Sequence, residues 1–398
     1  MSKPKSLSTA LIHHPYQPPA GFEAPQVGVH KASTVIFRNT AALHSRDWKS
    51  RAGYTYGLHG TPTSFTLEER IATLEGGVQT LLVPSGLAAV TLVDMALLKP
   101  GDEVLLPENA YGPGKELARH ELAGWGIRHR LYDSADPQAL AKMISPATRL
   151  VWLEAAGSVT MEFPDLTALV QVARAKGVLT ALDNTWGAGV AFCGFELGGP
   201  SAPGLGADIV VQALTKYPSG GGDVLMGSVT TRDEALHLRL RGTHMRMGWG
   251  VGGNDVELVL RSLPSLALRY GAHDLSARAL ARWCSGRAEF TQVLHPALPS
   301  SPGHTHWQRL CTQAAGLFSV VVDPRFGKTQ VNAFVDALKL FKIGYSWAGA
   351  TSLVVSYELA LMRAQPTWPG MLVRFSIGLE AADDLQADLE QALAALRL

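Results

Sequence analysis

Apolar and polar positions divide the chain into a weakly patterned start, a long alternation of strand and helix patterns, and a shorter second alternation. Residues 1–60 show no sustained periodicity and carry Pro15, Pro18, Pro19 and several glycines. They predict an extended arm that needs another surface to lie on. Order begins at Thr61-Pro62, which suits a helix cap followed by a first helical position. Leu67, Ile71 and Leu74 fall on one helical face, and Gly76-Gly77 ends the helix. Short apolar runs then predict buried strands at 80–83, 104–106, 127–132, 150–153, 178–182 and 209–211. Helices are expected from Ser85-Gly86, through Leu117, and over Leu166–Ala175. Continuous apolar strands alternating with helices indicate a mainly parallel sheet covered on both faces.

The texture changes near the glycine-rich stretch 248–253. A helical region follows from Val256 to about Arg287, then a strand at 318–322. Val331, Phe334, Val335, Leu338 and Phe341 predict one helical face. Strands at 353–356 and 372–377 and a closing helix with Leu385, Leu389, Leu393 and Leu396 complete the pattern. The expected organisation is an arm (1–60) contacting a neighbouring subunit, a large α/β domain (61–253) and a smaller C-terminal α/β domain (254–398).

The 398 residues exceed one small core, and 46% apolar with 17% charged residues is an ordinary globular balance. A formal net charge of +1 without a dense Lys/Arg stripe makes nucleic acid and membrane surfaces poor partners. Cys193, Cys284 and Cys311 are widely spread, which fits a reducing compartment and no structural metal. The polar, proline-containing start does not read as a signal peptide, so a cytoplasmic protein is expected.

Two side chains carry the first chemical hint. Asp183 ends the apolar run 178–182, where open α/β sheets bind ligands. Lys216 lies just past the strand at 209–211 and precedes Gly220-Gly221-Gly222. An acid and a lysine at neighbouring strand ends suit pyridoxal phosphate (PLP): the acid keeps the ring nitrogen protonated and the lysine forms the Schiff base. A helix-capping carboxylate and a solvated lysine are the plainer alternatives. Ser85-Gly86-Leu87 turns from strand to helix, so the amides of Gly86 and Leu87 could meet a phosphate, or Ser85 could simply be a cap. No GxGxxG follows an early strand, which leaves a dinucleotide site without support.

Ordered segments extend this hint over most of the chain: Tyr54–Glu75 (YTYGLHGTPTSFTLEERIATLE), Val83–Val90 (VPSGLAAV), Asn109–Gly112 (NAYG), Leu153–Glu162 (LEAAGSVTME), Asp183–Gly189 (DNTWGAG), Gln212–Gly227 and Val373–Glu380 (VRFSIGLE). In order and spacing they resemble the PLP-dependent enzymes of transsulfuration, of fold type I, and among them the bacterial cystathionine β-lyases. The resemblance implies that Lys216 holds PLP and moves the substrate α-proton, that Asp183 binds the ring nitrogen, and that Tyr111 stacks on the ring. It implies phosphate contacts from Gly86, Leu87 and Thr215, and from Tyr56 across a subunit boundary. Arg374 would fork onto the substrate α-carboxylate, Ser346 would orient Lys216, and Trp347 would line the substrate pocket. Tyr111, Arg374 and Trp347 could equally serve packing or ion pairing on position alone.

The same family implies a homo-oligomer, a tetramer built of two dimers with shared sites. Four details match its β-eliminating side: Gly60-Thr61-Pro62-Thr63 where γ-acting relatives show GNPT, Trp186 after Asp183-Asn184-Thr185 instead of Phe, Gly157-Ser158-Val159-Thr160 instead of Pro-Thr-Asn-Pro, and Ser346-Trp347-Ala348-Gly349 instead of Ser-Leu-Gly-Gly. The implied reaction is β-elimination of L-cystathionine to homocysteine, pyruvate and ammonia, with cysteine or cystine desulfuration beside it. A γ-lyase or γ-synthase is the alternative, and a non-catalytic PLP-fold binding protein the reading from another class. Three departures stand out. Leu58, followed by His59, occupies the position of a phosphate-binding arginine, Gly221-Gly222 replaces the usual His-Ser, and Ala213 replaces a serine.

Overall fold

The computed structural model describes residues 6–14, 20–48, 53–363 and 367–397. Pro15, Pro18 and Pro19 lie outside them. The first sheet has seven strands: β1 (Gln79–Val83), β2 (Glu103–Pro107), β3 (Arg128–Tyr132), β4 (Thr148–Glu154), β5 (Leu179–Asp183), β6 (Ile209–Ala213) and β7 (Gly227–Thr231). Their spatial order is β1-β7-β6-β5-β4-β2-β3. The pairs β2–β3, β2–β4, β4–β5 and β5–β6 are parallel, whereas β7 runs antiparallel to both β6 and β1. Edge strand β3, expected to be buried, buries only Tyr132, but the sheet is mostly parallel, as its apolar runs predict. The exception, β7, was not legible as a strand because Gly-Ser-Val-Thr-Thr offers a single aliphatic residue.

Helices cover both faces. The arm is less extended than expected: α1 (Leu7–Ile12) is capped by Ser6 and buries Leu11 at 1% exposure against the main core, and a second short helix, α2, spans Thr40–His44. α3 (Pro62–Glu75) starts with Thr61 as its cap and ends at Gly76 in the left-handed conformation. α4 (Gly86–Leu97) and α5 (Gly112–Leu117) follow β1 and β2. The expected helix from Val256 to Arg287 is two helices, Gly253–Ser262 and Leu266–Ser285, with a tight turn at Leu263-Pro264-Ser265 between them. Pro264 has no amide hydrogen for the helical ladder, which accounts for the break.

A second sheet contains β8 (Phe290–Leu294), β9 (Leu317–Val322), β10 (Lys342–Ile343), β11 (Leu353–Glu358) and β12 (Met371–Ser376), in the order β10-β11-β12-β9-β8. Only β10–β11 is parallel. Phe318, Phe334, Phe341 and Phe375 meet in its core, with ring centroids 5.1–6.5 Å apart. The helix expected to reach Phe341 stops at Asp336. The Asp388 carboxylate accepts the amides of Lys339, Leu340 and Phe341 and turns the chain there, so Leu338 and Phe341 reach the core from a loop. Among the described residues no helix is long and apolar enough to cross a membrane.

Candidate active site

The carboxyl ends of β4, β5 and β6 lie side by side, and each delivers one ionisable group. Asp183 ends β5. Its Oδ1 accepts from the Thr185 amide at 2.9 Å and the Thr185 hydroxyl at 2.5 Å. Thr185 Oγ1 also accepts the Ala213 amide at 2.9 Å, tying the acid to β6. No hydrogen bond among the described residues reaches Oδ2, which leaves that oxygen as an acceptor for an N–H donor. Desolvation raises the Asp183 carboxyl above its usual range, while the Thr185 bonds and the Lys216 charge oppose the rise.

Lys216 lies three residues beyond β6. Its Nζ donates to Ser346 Oγ at 2.8 Å and sits 5.5 Å from the Trp347 ring centroid. Desolvation lowers the ammonium to about 8, Arg374 pushes the same way, and Asp183 pulls back. A lysine near 8 keeps a useful share of free amine at neutral pH, as Schiff-base chemistry requires. Ser346 is held at φ 83° and Ala348 at φ 69°, left-handed conformations that side chains other than glycine adopt rarely. That backbone aims the Ser346 hydroxyl at Lys216. Trp347, between them, packs in a T-shaped contact with Tyr217, ring centroids 5.5 Å apart.

Arg374, on β12, is only 8% exposed. Its Nη2 donates to the Ser346 carbonyl at 3.4 Å and its guanidinium lies 5.7 Å from the Tyr357 ring. No carboxylate pairs with it among the described residues. A buried guanidinium without an acid is a strong anion acceptor, suited to a carboxylate brought by a substrate.

Tyr111 caps α5 and is half-exposed; burial, then Asp183 and Glu154, raise its phenol. Its backbone amide donates to Glu154 Oε2 at 2.7 Å. Glu154 had no role in the sequence reading, although it ends β4 just as Asp183 ends β5. The two are register partners. Desolvation raises the Glu154 carboxyl well above its usual range, and the Asp183 charge adds to that.

The phosphate turn is built from α4. Ser85 Oγ accepts the Ala88 amide at 3.0 Å, so the amides of Gly86 and Leu87 remain for an external acceptor at the positive helix end. Gly86 is required by packing as well: a Cβ there would lie 2.6 Å from the Ala213 Cβ on β6. Thr215 binds the backbone of Met226 through its amide and hydroxyl, at 3.2–3.4 Å. Tyr56 is half-exposed in the arm, its ring centroid 5.9 Å from that of His59, and no contact among the described residues joins it to Lys216. Leu58 and His59 instead line a cavity of about 590 Å³ with Arg241, His244 and Trp249; neither Lys216 nor Asp183 borders it.

The residues present fit PLP. Asp183 Oδ2 suits the ring nitrogen, Lys216 the aldehyde carbon, and the α4 amides the phosphate. The sequence profile of the family described as Cys/Met metabolism PLP-dependent enzyme matches residues 8–394. A cystathionine beta-lyase of Bordetella avium is 37% identical over 399 residues, with 98% of each chain covered. A cystathionine beta-lyase of Escherichia coli is 32% identical over 398 residues, again with 98% of each covered. Among solved structures, a cystathionine gamma synthase of Xanthomonas oryzae superimposes with a TM-score of 0.89 at 29% identity, covering 99% of each chain.

Proposed function

Because this chain belongs to the Cys/Met metabolism PLP-dependent enzyme family, we propose that it cleaves the Cβ–S bond of L-cystathionine, giving homocysteine, pyruvate and ammonia. The observation that carries this reading is the Lys216–Ser346 hydrogen bond at 2.8 Å beside the unpaired Arg374. It puts an amine of lowered basicity next to a carboxylate receptor. PLP, when bound, supplies the electron sink that stabilises negative charge at the substrate α-carbon.

The chain's own residues do the rest. Arg374 holds the α-carboxylate by a planar fork, fixing which substrate bond faces Lys216. Lys216 Nζ takes the α-proton, and Ser346 Oγ keeps that nitrogen in place between proton transfers. Asp183 Oδ2 would hold the ring nitrogen and keep it protonated. Tyr111, whose amide is held by Glu154, would stack on the ring. Trp347 walls the pocket beside Lys216, where its bulk restricts how the sulfur-bearing side chain lies. That wall, the Trp186 and Gly157–Thr160 differences, and relatives named cystathionine beta-lyase favour β- over γ-elimination.

The half-exposed Tyr56 supports a shared site in which the arm reaches a second copy's phosphate, hence a dimer-based oligomer, and methionine biosynthesis in the cytoplasm is the fitting setting. Product analysis tests the function. Purified holoprotein on L-cystathionine should release pyruvate and homocysteine; 2-oxobutyrate with cysteine would instead make it a γ-lyase. A preparation lacking the visible band of lysine-linked PLP would favour a non-catalytic role.

A further inference from the structure

On the reverse face of the sheet a third carboxylate lies directly behind the site. Glu75 is the last residue of α3 and is 1% exposed. Its Oε2 accepts from Asn184 Nδ2 at 2.8 Å, and its Oε1 accepts a short bond from Gln212 Nε2. Asn184 follows Asp183, and Gln212 precedes Ala213 at the end of β6. The last registered pair of β5 and β6 is Asp183 with Val211, so Asn184 and Gln212 are the pair immediately beyond it. Successive side chains of a strand point to opposite faces. Asp183 therefore faces the cofactor side, where Ala213 packs on Gly86, while Asn184 and Gln212 face α3.

We propose that Glu75 is a positioning residue for the PLP site: its carboxylate clips together the ends of the two strands that carry Asp183 and lead to Lys216. Three features argue for it. The clip acts where the β5–β6 ladder ends, beside its last backbone bond from the Asn184 amide to the Val211 carbonyl at 2.9 Å, so it reinforces the place where the spacing of acid and lysine is set. Both amides are fixed in orientation, because turning either would set its oxygen against a carboxylate oxygen. That orientation leaves Asn184 Oδ1 and Gln212 Oε1 buried without a hydrogen-bond partner among the described residues, a cost an apolar trio at this position would avoid. The titratable groups beside the clip are Asp183 and Cys193, whose Sγ donates to the Glu75 carbonyl at 3.2 Å.

The inference rests on PLP occupying the site, not on which sulfur substrate is cleaved. Its test compares holoenzymes, the unchanged protein first establishing the visible band and the product. In Glu75→Gln one neighbouring amide must either face another donor or turn to present its oxygen, and the charge that gripped both is lost, so the strand ends shift and Asp183 loosens its hold on the ring nitrogen. A less firmly protonated ring withdraws less charge, and the nitrogen joining Lys216 to PLP becomes more basic. The pH midpoint of the visible band should rise by about half a unit or more, and kcat should fall about tenfold with KM within about twofold. Gln212→Met, which cuts one arm of the clip and leaves the carboxylate, should shift the midpoint the same way by less, and remains the deciding variant if Glu75→Gln does not fold. The exchange Glu75→Gln/Gln212→Glu, which restores charge and one donor–acceptor pair, should return the midpoint toward the unchanged enzyme. A midpoint that stays put while only Tm falls would make Glu75 a purely structural group. A downward shift would make it a through-space charge. Either result, or an exchanged variant that folds with its midpoint still displaced, overturns the proposal.

Discussion

Glu154 and Asp183 face each other in register at the ends of adjacent parallel strands, with the Glu154 carboxylate also holding the Tyr111 amide at 2.7 Å. Two carboxylates so placed do not both ionise readily. Asp183 has the stronger claim to the negative charge, because Thr185 donates twice to it and Lys216 lies near. Glu154 then works as a neutral acceptor. Glu154→Gln should keep kcat/KM for pyruvate release within about threefold, whereas Glu154→Leu, which frees the Tyr111 amide, should lose about tenfold or more. Equal losses in both variants would show that an ionised Glu154 is needed.

Ser346 combines two properties that substitution can separate. Its φ of 83° is a strained conformation for serine, and its hydroxyl holds Lys216. Ser346→Gly removes the hydroxyl and relieves roughly 1 kcal/mol of backbone strain. Ser346→Ala removes the hydroxyl and keeps the strain. Both should lower kcat about five- to tenfold, with Ser346→Gly melting no lower than the parent and above Ser346→Ala. A kcat loss confined to the glycine variant would place the role in backbone stiffness rather than in the hydroxyl.

The parallel strands of the first sheet and the placement of Asp183 and Lys216 at neighbouring strand ends were legible because such strands write apolar runs, and ligands gather at their carboxyl ends. What supports that pair was not. Glu154 and Glu75 are acids at the ends of apolar elements, where a sequence shows neither burial nor a partner 109 residues away, as Asn184 is from Glu75. The left-handed turns at Ser346 and Ala348 carry no glycine to announce them. In the arm, Leu11 is buried by a helix of six residues, too short to write a periodicity.

Asp94 offers a pH signature separate from catalysis. It is buried on α4 and accepts from Trp152 Nε1 at 2.9 Å, and desolvation raises its carboxyl to about 7. A carboxyl with a raised folded value takes up protons on folding, so its contribution favours the folded state at low pH and is lost as pH rises from its unfolded value near 4 through about 7. Asp94→Asn keeps the acceptor for Trp152 and deletes this dependence. Relative to the parent, the variant should gain stability between pH 5 and pH 8 by on the order of 2–4 kcal/mol. Paired denaturant titrations at the two pH values give that double difference, in which any fixed cost of the asparagine cancels. A difference that stays constant with pH would mean the carboxylate remains ionised in the fold.

Leu58 tests whether the arm serves a second copy's cofactor. The side chain lines the cavity of about 590 Å³ beside His59 and Arg241, so an arginine there has room to extend. If Tyr56 and position 58 face a neighbouring subunit's phosphate, Leu58→Arg adds a bidentate donor to that phosphate and should lower the Kd for PLP about tenfold. Tyr56→Phe, losing a hydroxyl on the same path, should raise it. The two effects should disappear together when the protein is diluted to monomers, since the donors then have no phosphate to reach. Unchanged PLP affinity in Leu58→Arg at full assembly would leave the phosphate to the α4 amides and Thr215 of its own chain, and with it the leucine would cost the cofactor nothing.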